Sequence, residues 1–187
     1  MELFIRPAGP ADAEEIAEVQ RISWRAAYAG ILRPESLDSV ARSWDAAHWR
    51  ASLERTDDRT IPLVLDSRQT GVAGFGVAGR RRGRRDTSLA ELQGEIYLLY
   101  LLPAIQRDGH GTALTAALAR VLVARGLRSA LVWALAANES AIAFYRRMGG
   151  TIVAEARKPF FGEMVDEVAL GWPDLETLIG ISRKVGE

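Results

Sequence analysis

The stretch that decides the fold is QRDGHGTAL, Gln106–Leu114, which stands between an apolar strand-like run and a helix-like run. The run before it is EIYLLYLLP (95–103), and the run after it is TAALARVLVARG (115–126). The first turn of a helix carries unpaired N–H groups and a partial positive charge, and glycine lets a phosphate come close to the backbone. Gly109 and Gly111 therefore suit a phosphate-binding turn as well as they suit an ordinary strand-to-helix turn.

Two other phosphate-binding motifs fit the sequence poorly. A P-loop needs a Gly-Lys dipeptide, and the chain contains none. The run GVAGFG (71–76) has the glycine spacing of a dinucleotide-binding turn, but VAGRRRGRR (77–85) follows it without a helical period. We therefore predict that residues 71–76 belong to a glycine-rich strand of a hairpin.

The apolar pattern on both sides of the glycine turn predicts alternating strands and helices. Strands are predicted at 3–6, 90–103, 129–136, 151–160 and 163–172, with a hairpin over 61–80. Helices are predicted within 12–30, as one or two pieces within 34–55, at 110–125 and at 138–150. The strands that flank the central helix should lie side by side through a right-handed crossover. The prediction is one α/β domain over residues 1–187, with a mixed α+β sheet and helices on both faces.

Composition and charge exclude several classes of function. The formal net charge is +0 and the pI is about 6.8, so we expect neither nucleic acid nor a membrane as a partner. The chain has no cysteine, which excludes disulfides and thiol catalysis, and its two histidines, His48 and His110, cannot form a histidine-rich metal site. We expect no metal.

The start of the chain lacks a long apolar region, so we expect a cytoplasmic protein. The run RRRGRRD (80–86) is predicted to be a charged loop.

The glycine signature and its flanks resemble the GNAT superfamily of acetyl-CoA-dependent N-acetyltransferases. QRDGHG (106–111) matches the family signature Q/R-x-x-G-x-G/A, and NESAIAFYRRMGG (138–150) is similar to its N-x-x-A-x-x-F-Y-x-x-x-G segment. IRPAGPADAEEIAEV (5–19) resembles the opening strand and helix of the family. The resemblance implies a mostly antiparallel sheet of about six or seven strands, with a parallel pair formed by the fourth and fifth strands.

The resemblance also implies where acetyl-CoA, the expected cosubstrate, would bind. The pantetheine arm would pair with the backbone of the fourth strand, and the diphosphate would lie on the glycine turn. Asn138 and Tyr145 would lie near the cofactor arm and its sulfur, although Asn138 is equally a helix N-cap. The implied cofactor-binding residues are Leu99, Tyr100, Leu101, Gln106, Arg107, Asp108, Gly109, His110, Gly111, Thr112, Asn138 and Tyr145. We interpret His110 as a solvated loop residue rather than a base.

Two side chains are candidates for proton transfer. Tyr145 aligns with the tyrosine that donates a proton to the leaving thiolate in the family, although it could be a core aromatic residue. Glu95 lies eleven residues before Gln106, where some members carry a glutamate base, and Glu91 is the second choice. Glu95 could equally be a solvent-facing strand carboxylate. The backbone N–H of Leu101 could meet the oxyanion.

The acceptor is less readable from the sequence. Trp24, Tyr28 and Phe160 are the predicted substrate-binding residues, although aromatic clusters more often belong to the core. Further aromatic candidates are Trp44, Trp49 and Phe161. A closed aromatic pocket would favour a small-molecule amine or an amino-acid-like acceptor.

Other functions stay open. An open groove beside the last hairpin would favour a protein or peptide amine, whereas a non-catalytic acyl-CoA-binding module would need neither Glu95 nor Tyr145. A nucleotide-binding domain of another kind would bind ATP or NAD instead of coenzyme A. Trp133 stands where family enzymes that acetylate ribosomal protein N-termini carry a glutamate, which disfavours that activity. We also expect a homodimer, since the tail WPDLETLIGI (172–181) is apolar enough to pack on a neighbour or on its own sheet.

Overall fold

The computed structural model describes residues 2–55, 60–82 and 89–185, with side chains to residue 181. The predicted charged loop at 80–86 therefore lies mostly outside the described residues. The described strands are β1 (Leu3–Pro7), β2 (Thr60–Ser67), β3 (Gly71–Arg80), β4 (Gly94–Leu101), β5 (Ala130–Leu135), β6 (Thr151–Phe160) and β7 (Glu163–Trp172). The described α-helices are α1 (Ala13–Tyr28), α2 (Pro34–Ser43), α3 (Ala46–Glu54), α4 (His110–Ala124), α5 (Glu139–Arg147) and α6 (Leu175–Val185).

The strands form one mixed sheet in the order β1-β2-β3-β4-β5-β7-β6. Neighbouring strands run antiparallel except β4 and β5, which are parallel and are joined through α4. This confirms the predicted sheet, its parallel pair and the helical crossover.

Each face of the sheet is covered by helices. On one face, α4 and α6 bury Leu114, Leu118 and Leu178 against the sheet, and all three are fully buried. On the other face, α1 and α3 pack Ile16 and Trp49 against β2 and β3. In α1 the buried positions recur at the helical spacing that predicted this helix.

Two elements differ from the prediction in extent. The helical region at 34–55 divides into α2 and α3, because Asp45 caps a new helix by accepting the N–H of His48 at 2.8 Å. The strand predicted at 90–103 is limited to β4. Leu92 N–H donates to Leu89 O at 3.0 Å and closes a turn before the strand, and Pro103 opens a 3-10 turn after it.

The tail at 172–181 packs on its own chain. It leaves β7 and forms α6, whose Leu175 and Leu178 are fully buried among residues of the core. The tail therefore takes the second of the two predicted arrangements, in which it packs on its own chain. Among the helices of the described ranges, none is long and apolar enough to cross a membrane.

The position of the site is set by a separation of the two parallel strands. β4 pairs with β5 only at Gly94, Glu95 and Ile96, although both strands continue beyond these pairs. The next residue, Tyr97, is skipped in the pairing with β3, where Leu98 faces Val77 and Ile96 faces Ala78. Such a bulge bends a strand and increases its twist. We define the region between the later parts of β4 and β5 as the strand opening.

The close packing at the end of α5 gives a prediction about stability. A Cβ added at Gly150 would lie 2.9 Å from Trp172 and 3.0 Å from the carbonyl oxygen of Tyr145. Neither can move freely, because Trp172 is buried and donates its indole N–H to Met148 O at 2.8 Å. Gly150→Ala should therefore lower the free energy of unfolding by about 1–3 kcal/mol in urea denaturation.

Gly180→Ala is the matched control for this measurement. A Cβ at Gly180 would meet nothing within 4 Å, and the position lies inside α6. Alanine is the better helix former, so this variant should be as stable as the wild type or more stable. Equal destabilisation by the two substitutions would show that the contact with Trp172 is not the cause.

Candidate active site

The backbone of β4 alternates between β3 and the strand opening. In an antiparallel pair, opposite residues alternate between those that bond across the pair and those whose N–H and C=O groups point away. Leu102 N–H donates to Ala73 O at 2.9 Å, so Tyr100 also directs its backbone to β3. Leu99 and Leu101 direct theirs toward the opening. Of the three residues predicted to pair with a pantetheine arm, these two have the right backbone direction, and Tyr100 does not.

The carbonyl of Leu101 is already bonded. Ser23 in α1 donates its hydroxyl to this oxygen at 2.9 Å, and the side-chain amide of Gln106 donates to it at 2.9 Å. The carbonyl oxygen has two lone pairs, so both are used. The N–H of Leu101 is directed to the opening, and this is the group the sequence suggested for the oxyanion.

Ser23 was missed as a site residue in the sequence. It is a buried polar residue on the apolar face of α1, in the helical series of Ile16 and Val19. A hydroxyl at a core position must find a hydrogen-bond partner. That signal could have indicated a contact with a neighbouring backbone, but it could not have identified Leu101.

The glycine turn opens α4 without a side-chain cap. Gly109 is the N-cap residue with φ 82°, and, within the part of the chain that the structure describes, α4 has no side-chain cap hydrogen bond. Arg107 also has a positive φ of 72°, a conformation that costs energy for a residue with a side chain. His110 begins the helix and is half-buried, so it is less exposed than the solvated loop residue expected. The turn therefore presents free backbone donors at the positive end of a helix dipole.

Gly109 and Gly111 differ in whether the folded chain requires a glycine at that position. Gly109 needs glycine because its backbone is left-handed. Gly111 has no positive φ, and a Cβ there would make ordinary contact with Phe144 at 3.4 Å. The folded chain itself therefore does not require glycine at position 111.

Gln106, Arg107 and Asp108 are exposed in this turn, whereas Thr112 is half-buried in the first turn of α4. The structure thus brings the predicted diphosphate residues to one helix end beside the end of β4.

Three tyrosine side chains and Asn138 converge at the opening. Tyr28 comes from α1, Tyr100 from β4 and Tyr145 from α5, and the phenol of Tyr28 interacts with each of the other two. Burial raises the pKa of Tyr145 and that of Tyr100 above the usual value for a phenol. Burial also raises the pKa of Tyr28, and hydrogen bonds with Asn138 and Tyr100 partly offset that rise. All three phenols therefore stay protonated at neutral pH.

Asn138 performs the structural task that the sequence suggested. Its side-chain oxygen accepts the N–H of Ala141 at 3.1 Å and caps α5. It is buried, and it also bonds to Tyr28. The cap thus places an amide group at the edge of the tyrosine cluster.

Glu95 is a half-buried carboxylate in the first three residues of β4, which are the ones that pair with β5. Its Oε2 accepts the backbone N–H of Arg82 at 3.0 Å. Burial raises its pKa, and this rise is partly offset by that hydrogen bond and by the charges of Arg82, Arg81 and Lys158. Glu91 is exposed in the turn before β4. Glu95 is therefore the better placed of the two candidate bases.

The predicted acceptor aromatics form one cluster. The rings of Trp24 and Phe160 are stacked, with an angle of 7° between their planes and 5.7 Å between their centroids. The ring centroid of Tyr28 lies 4.4 Å from that of Trp24. Trp44 joins this cluster at 6.0 Å from Trp24. Trp49 belongs instead to the core beside Phe75 and donates to Gln20.

The tip of the last hairpin closes over the aromatic cluster. Ser36 at the start of α2 donates to the carbonyl of Phe161 at 3.2 Å, and Arg33 donates to the carbonyl of Gly162. Arg33 also lies 3.8 Å from the carboxylate of Glu163. These contacts join the hairpin to the segment after α1, so the hairpin tip is held against the aromatic cluster.

Comparisons with known proteins agree with this architecture. Residues 16–150 match the family model described as the acetyltransferase (GNAT) family. The chain is 34% identical over 175 residues to YuaI, an uncharacterized N-acetyltransferase of Bacillus subtilis (strain 168), which covers 93% of this chain and 95% of that protein.

Two solved structures share the fold. A PaiA N-acetyltransferase from Thermoplasma acidophilum in complex with coenzyme A has a TM-score of 0.72 at 20% identity, over 90% of this chain and 98% of that one. A GCN5-related N-acetyltransferase from Rhodopseudomonas palustris has a TM-score of 0.70 at 22% identity, over 91% and 95%.

The hydrogen bond from Ser23 predicts a measurable loss of stability. Ser23→Ala removes a buried donor to Leu101 O, while the bond from Gln106 stays. The free energy of unfolding should fall by about 1 kcal/mol. The control is Ser39→Ala, because Ser39 makes a similar side-chain bond to Glu35 O on the exposed surface of α2. If both variants unfold at the same denaturant concentration as the wild type, the bond to Leu101 contributes nothing.

Proposed function

The chain belongs to the acetyltransferase (GNAT) family and is an acyl-CoA-dependent N-acetyltransferase, and from this premise we propose that it transfers the acetyl group of acetyl-CoA to a primary amine of a small molecule. The acceptor binds beside the donor, and the amine attacks directly in a ternary complex. The observation that carries this proposal is the strand opening, which exposes backbone groups of β4 beside the uncapped end of α4.

The residues at the opening fit a coenzyme A thioester. An extended pantetheine arm contains amides, and the free groups of Leu99 and the N–H of Leu101 could pair with them as a neighbouring strand would. The N–H groups that follow Gly109 suit a diphosphate, and Arg107 adds a positive charge. Glycine at position 111 leaves space that the folded chain does not need. The structure of a neighbour in this fold, the PaiA enzyme, contains coenzyme A.

Bound acetyl-CoA supplies a thioester carbon that accepts the amine nitrogen, so that a C–N bond forms and the C–S bond breaks. We assign Glu95 as the base that takes a proton from the acceptor ammonium, since its raised pKa makes it a stronger base than an exposed glutamate. The N–H of Leu101 is the donor to the carbonyl oxygen of the thioester. We assign Tyr145 as the acid for the leaving sulfur, because burial keeps its phenol protonated. The second proton that the nitrogen loses as the amide forms would restore the phenol, so the net proton released is the one on Glu95.

The bonded hairpin tip beside the aromatic cluster supports a small-molecule acceptor over a protein or peptide amine. A peptide needs a groove through which its chain can leave the site, and here the hairpin tip is bonded to α2 and to Arg33. Trp24 and Phe160 stack across this side of the site. A non-catalytic binding module would not need a half-buried carboxylate beside the opening together with a buried phenol at the opening.

The proposal also covers the cellular location of the enzyme and its oligomeric state. We propose a cytoplasmic enzyme. We also propose a homodimer through the edge strand β6, where Ile152 and Val153 are about 40% exposed.

Gly111→Ala separates cofactor binding from folding. The added Cβ fits the folded chain, so the unfolding temperature without ligand should not fall. The methyl group should obstruct the diphosphate and weaken coenzyme A binding by about tenfold or more. The measurement is thermal unfolding with and without coenzyme A, in which a ligand at 100 times its Kd stabilises the wild type by about 2.7 kcal/mol.

ATP and NAD at the same concentration are the ligand controls, and Gly180→Ala is the control variant. The proposal requires that coenzyme A compounds stabilise the wild type and Gly180→Ala, and that they stabilise Gly111→Ala much less. Stabilisation by ATP or NAD alone would indicate a nucleotide-binding domain of another kind and would overturn the proposal.

Glu95→Gln tests the base through the pH dependence of the rate. In the wild type, kcat/KM should rise with pH through a pKa above the usual glutamate value, as Glu95 becomes ionised. Glu95→Gln should lower kcat/KM about a hundredfold or more and remove that rise. Glu91→Gln, on an exposed carboxylate in the adjacent turn, should keep both the rate and the profile. A full rate in Glu95→Gln would assign the proton to a water relay or another group.

Glu95→Gln should lower activity but should not lower stability. Because folding raises the pKa of Glu95, the protonated carboxyl favours the fold at low pH, and this contribution is lost as the pH rises through the folded pKa. Glutamine carries no charge and can still accept the N–H of Arg82. At neutral pH Glu95→Gln should therefore unfold at the same temperature as the wild type or higher.

A further inference from the structure

The face of the sheet that carries the aromatic cluster also carries an ion pair between Lys158 and Glu167, and neither residue has a role in the site described above. Lys158 on β6 lies 2.8 Å from the carboxylate of Glu167 on β7, and the two side chains are 30% and 11% exposed. Such a pair costs desolvation energy and adds little net stability to a fold. A structural role alone therefore gives no reason for it.

The register of the strands places this pair on the same face as Glu95. Glu167 is opposite Leu135 on β5, and Glu95 is opposite Leu131 on the same strand. Residues two or four apart on a strand share a face, so Glu95 and Glu167 lie on one side of the sheet. Lys158 shares this side through its partner Val165, two residues from Glu167.

This side is also the one that carries the aromatic cluster. Leu135 and Val165 pack in the same buried group as Trp24, Phe160 and Tyr28. The charge of Glu167 acts on the phenol of Tyr28, and the charge of Lys158 acts on Glu95. The ammonium of Lys158 is therefore held at the carboxylate beside the tyrosine cluster, on the face of the sheet that also carries the proposed base.

Resting on the proposed function, we propose that Lys158 binds a carboxylate carried by the acceptor, so that the acceptors of this chain are amines with a carboxylate close to the nitrogen. Glu167 is a positioning residue: it fixes the lysine ammonium and uses one of its three N–H donors. The other two donors can bond to a carboxylate.

The charges of an amino acid complement this arrangement. At neutral pH its ammonium suits Glu95 and its carboxylate suits Lys158, so opposite charges meet at both ends. Arg82 adds positive charge on the Glu95 side, where its backbone N–H bonds to that carboxylate. An amino acid amide has the same amine and side chain but no carboxylate, and a peptide N-terminus resembles the amide in this respect.

The test compares L-amino acids with the corresponding amides, using acetyl-CoA and detection of the released thiol. Wild-type kcat/KM should favour the amino acid over its amide by about tenfold to a hundredfold, as expected for a hydrogen bond between charged groups. Lys158→Gln should lose this preference through KM for the amino acid, with a much smaller change in kcat. Lys158→Arg keeps the positive charge and should keep most of the preference.

Two further variants distinguish a loss of acceptor binding from a loss of folding. Lys158→Gln leaves the carboxylate of Glu167 without its partner, so Lys158→Gln combined with Glu167→Gln removes both charges and should show the same loss of preference. Arg157→Gln is the matched control, because Arg157 is an exposed neighbour on β6 that lies 3.7 Å from Asp166. It should retain the wild-type activity and preference.

Two results would overturn the proposal about Lys158 alone. One is a wild type that acetylates amides or peptides as well as amino acids. The other is a double variant that keeps the preference. In both cases amine acetylation persists, so the proposed transferase function stands. A wild type that acetylates no amine and is not stabilised by coenzyme A would instead overturn the proposed function, and with it this inference.

Discussion

The separation of β4 from β5 after Ile96 is the constraint on which the site depends. A parallel pair that stayed bonded to its end would use every backbone group of β4, and nothing could bind along it. The bulge at Tyr97 changes the direction of the strand instead, while β5 stays paired with β7 along its whole length. The antiparallel pairing with β3 then decides which groups are free, since Tyr100 is bonded and Leu99 and Leu101 point away. An opening made in this way selects an extended ligand that can act as a short strand.

Burial raises the pKa of both Glu95 and Tyr145, although the two residues are proposed to have opposite roles, one as a base and the other as an acid. An apolar environment disfavours charge, so it raises the pKa of a carboxylate and of a phenol alike. In the proposed mechanism the raised pKa of Glu95 suits the base, and the raised pKa of Tyr145 keeps the proton that the acid would donate. The cost of ionising Glu95 in this environment is a loss of stability at neutral pH, which the rest of the core must offset. Activity and stability are therefore opposed at this residue, as is common where a fold keeps a functional carboxylate half-buried.

The fold was largely predictable from the sequence because its signals are local. The apolar period defined α1 and α4, and the glycine turn located the crossover between parallel strands. The tail was harder, because an apolar run at the end of a chain does not indicate what covers it, and here α6 packs on α4. In the site, the position of Asn138 followed from its role as a cap. The bonds of Ser23 and the pairing of Lys158 with Glu167 depend on strand register and helix packing, which no short stretch of sequence encodes.

The carbonyl of Leu101 joins the donor side of the site to the acceptor side. Gln106 belongs to the glycine turn and Ser23 belongs to α1, yet both bond to this one oxygen. The next residue of α1 is Trp24, which stacks on Phe160, and Tyr28 follows one turn later beside the other two phenols. A rigid helix and a shared carbonyl oxygen thus form a contiguous network between the proposed diphosphate site and the proposed acceptor side. The N–H of Leu101 belongs to the preceding peptide unit and is directed to the opening, so the residue that joins both sides is also the one proposed to donate to the reacting carbonyl.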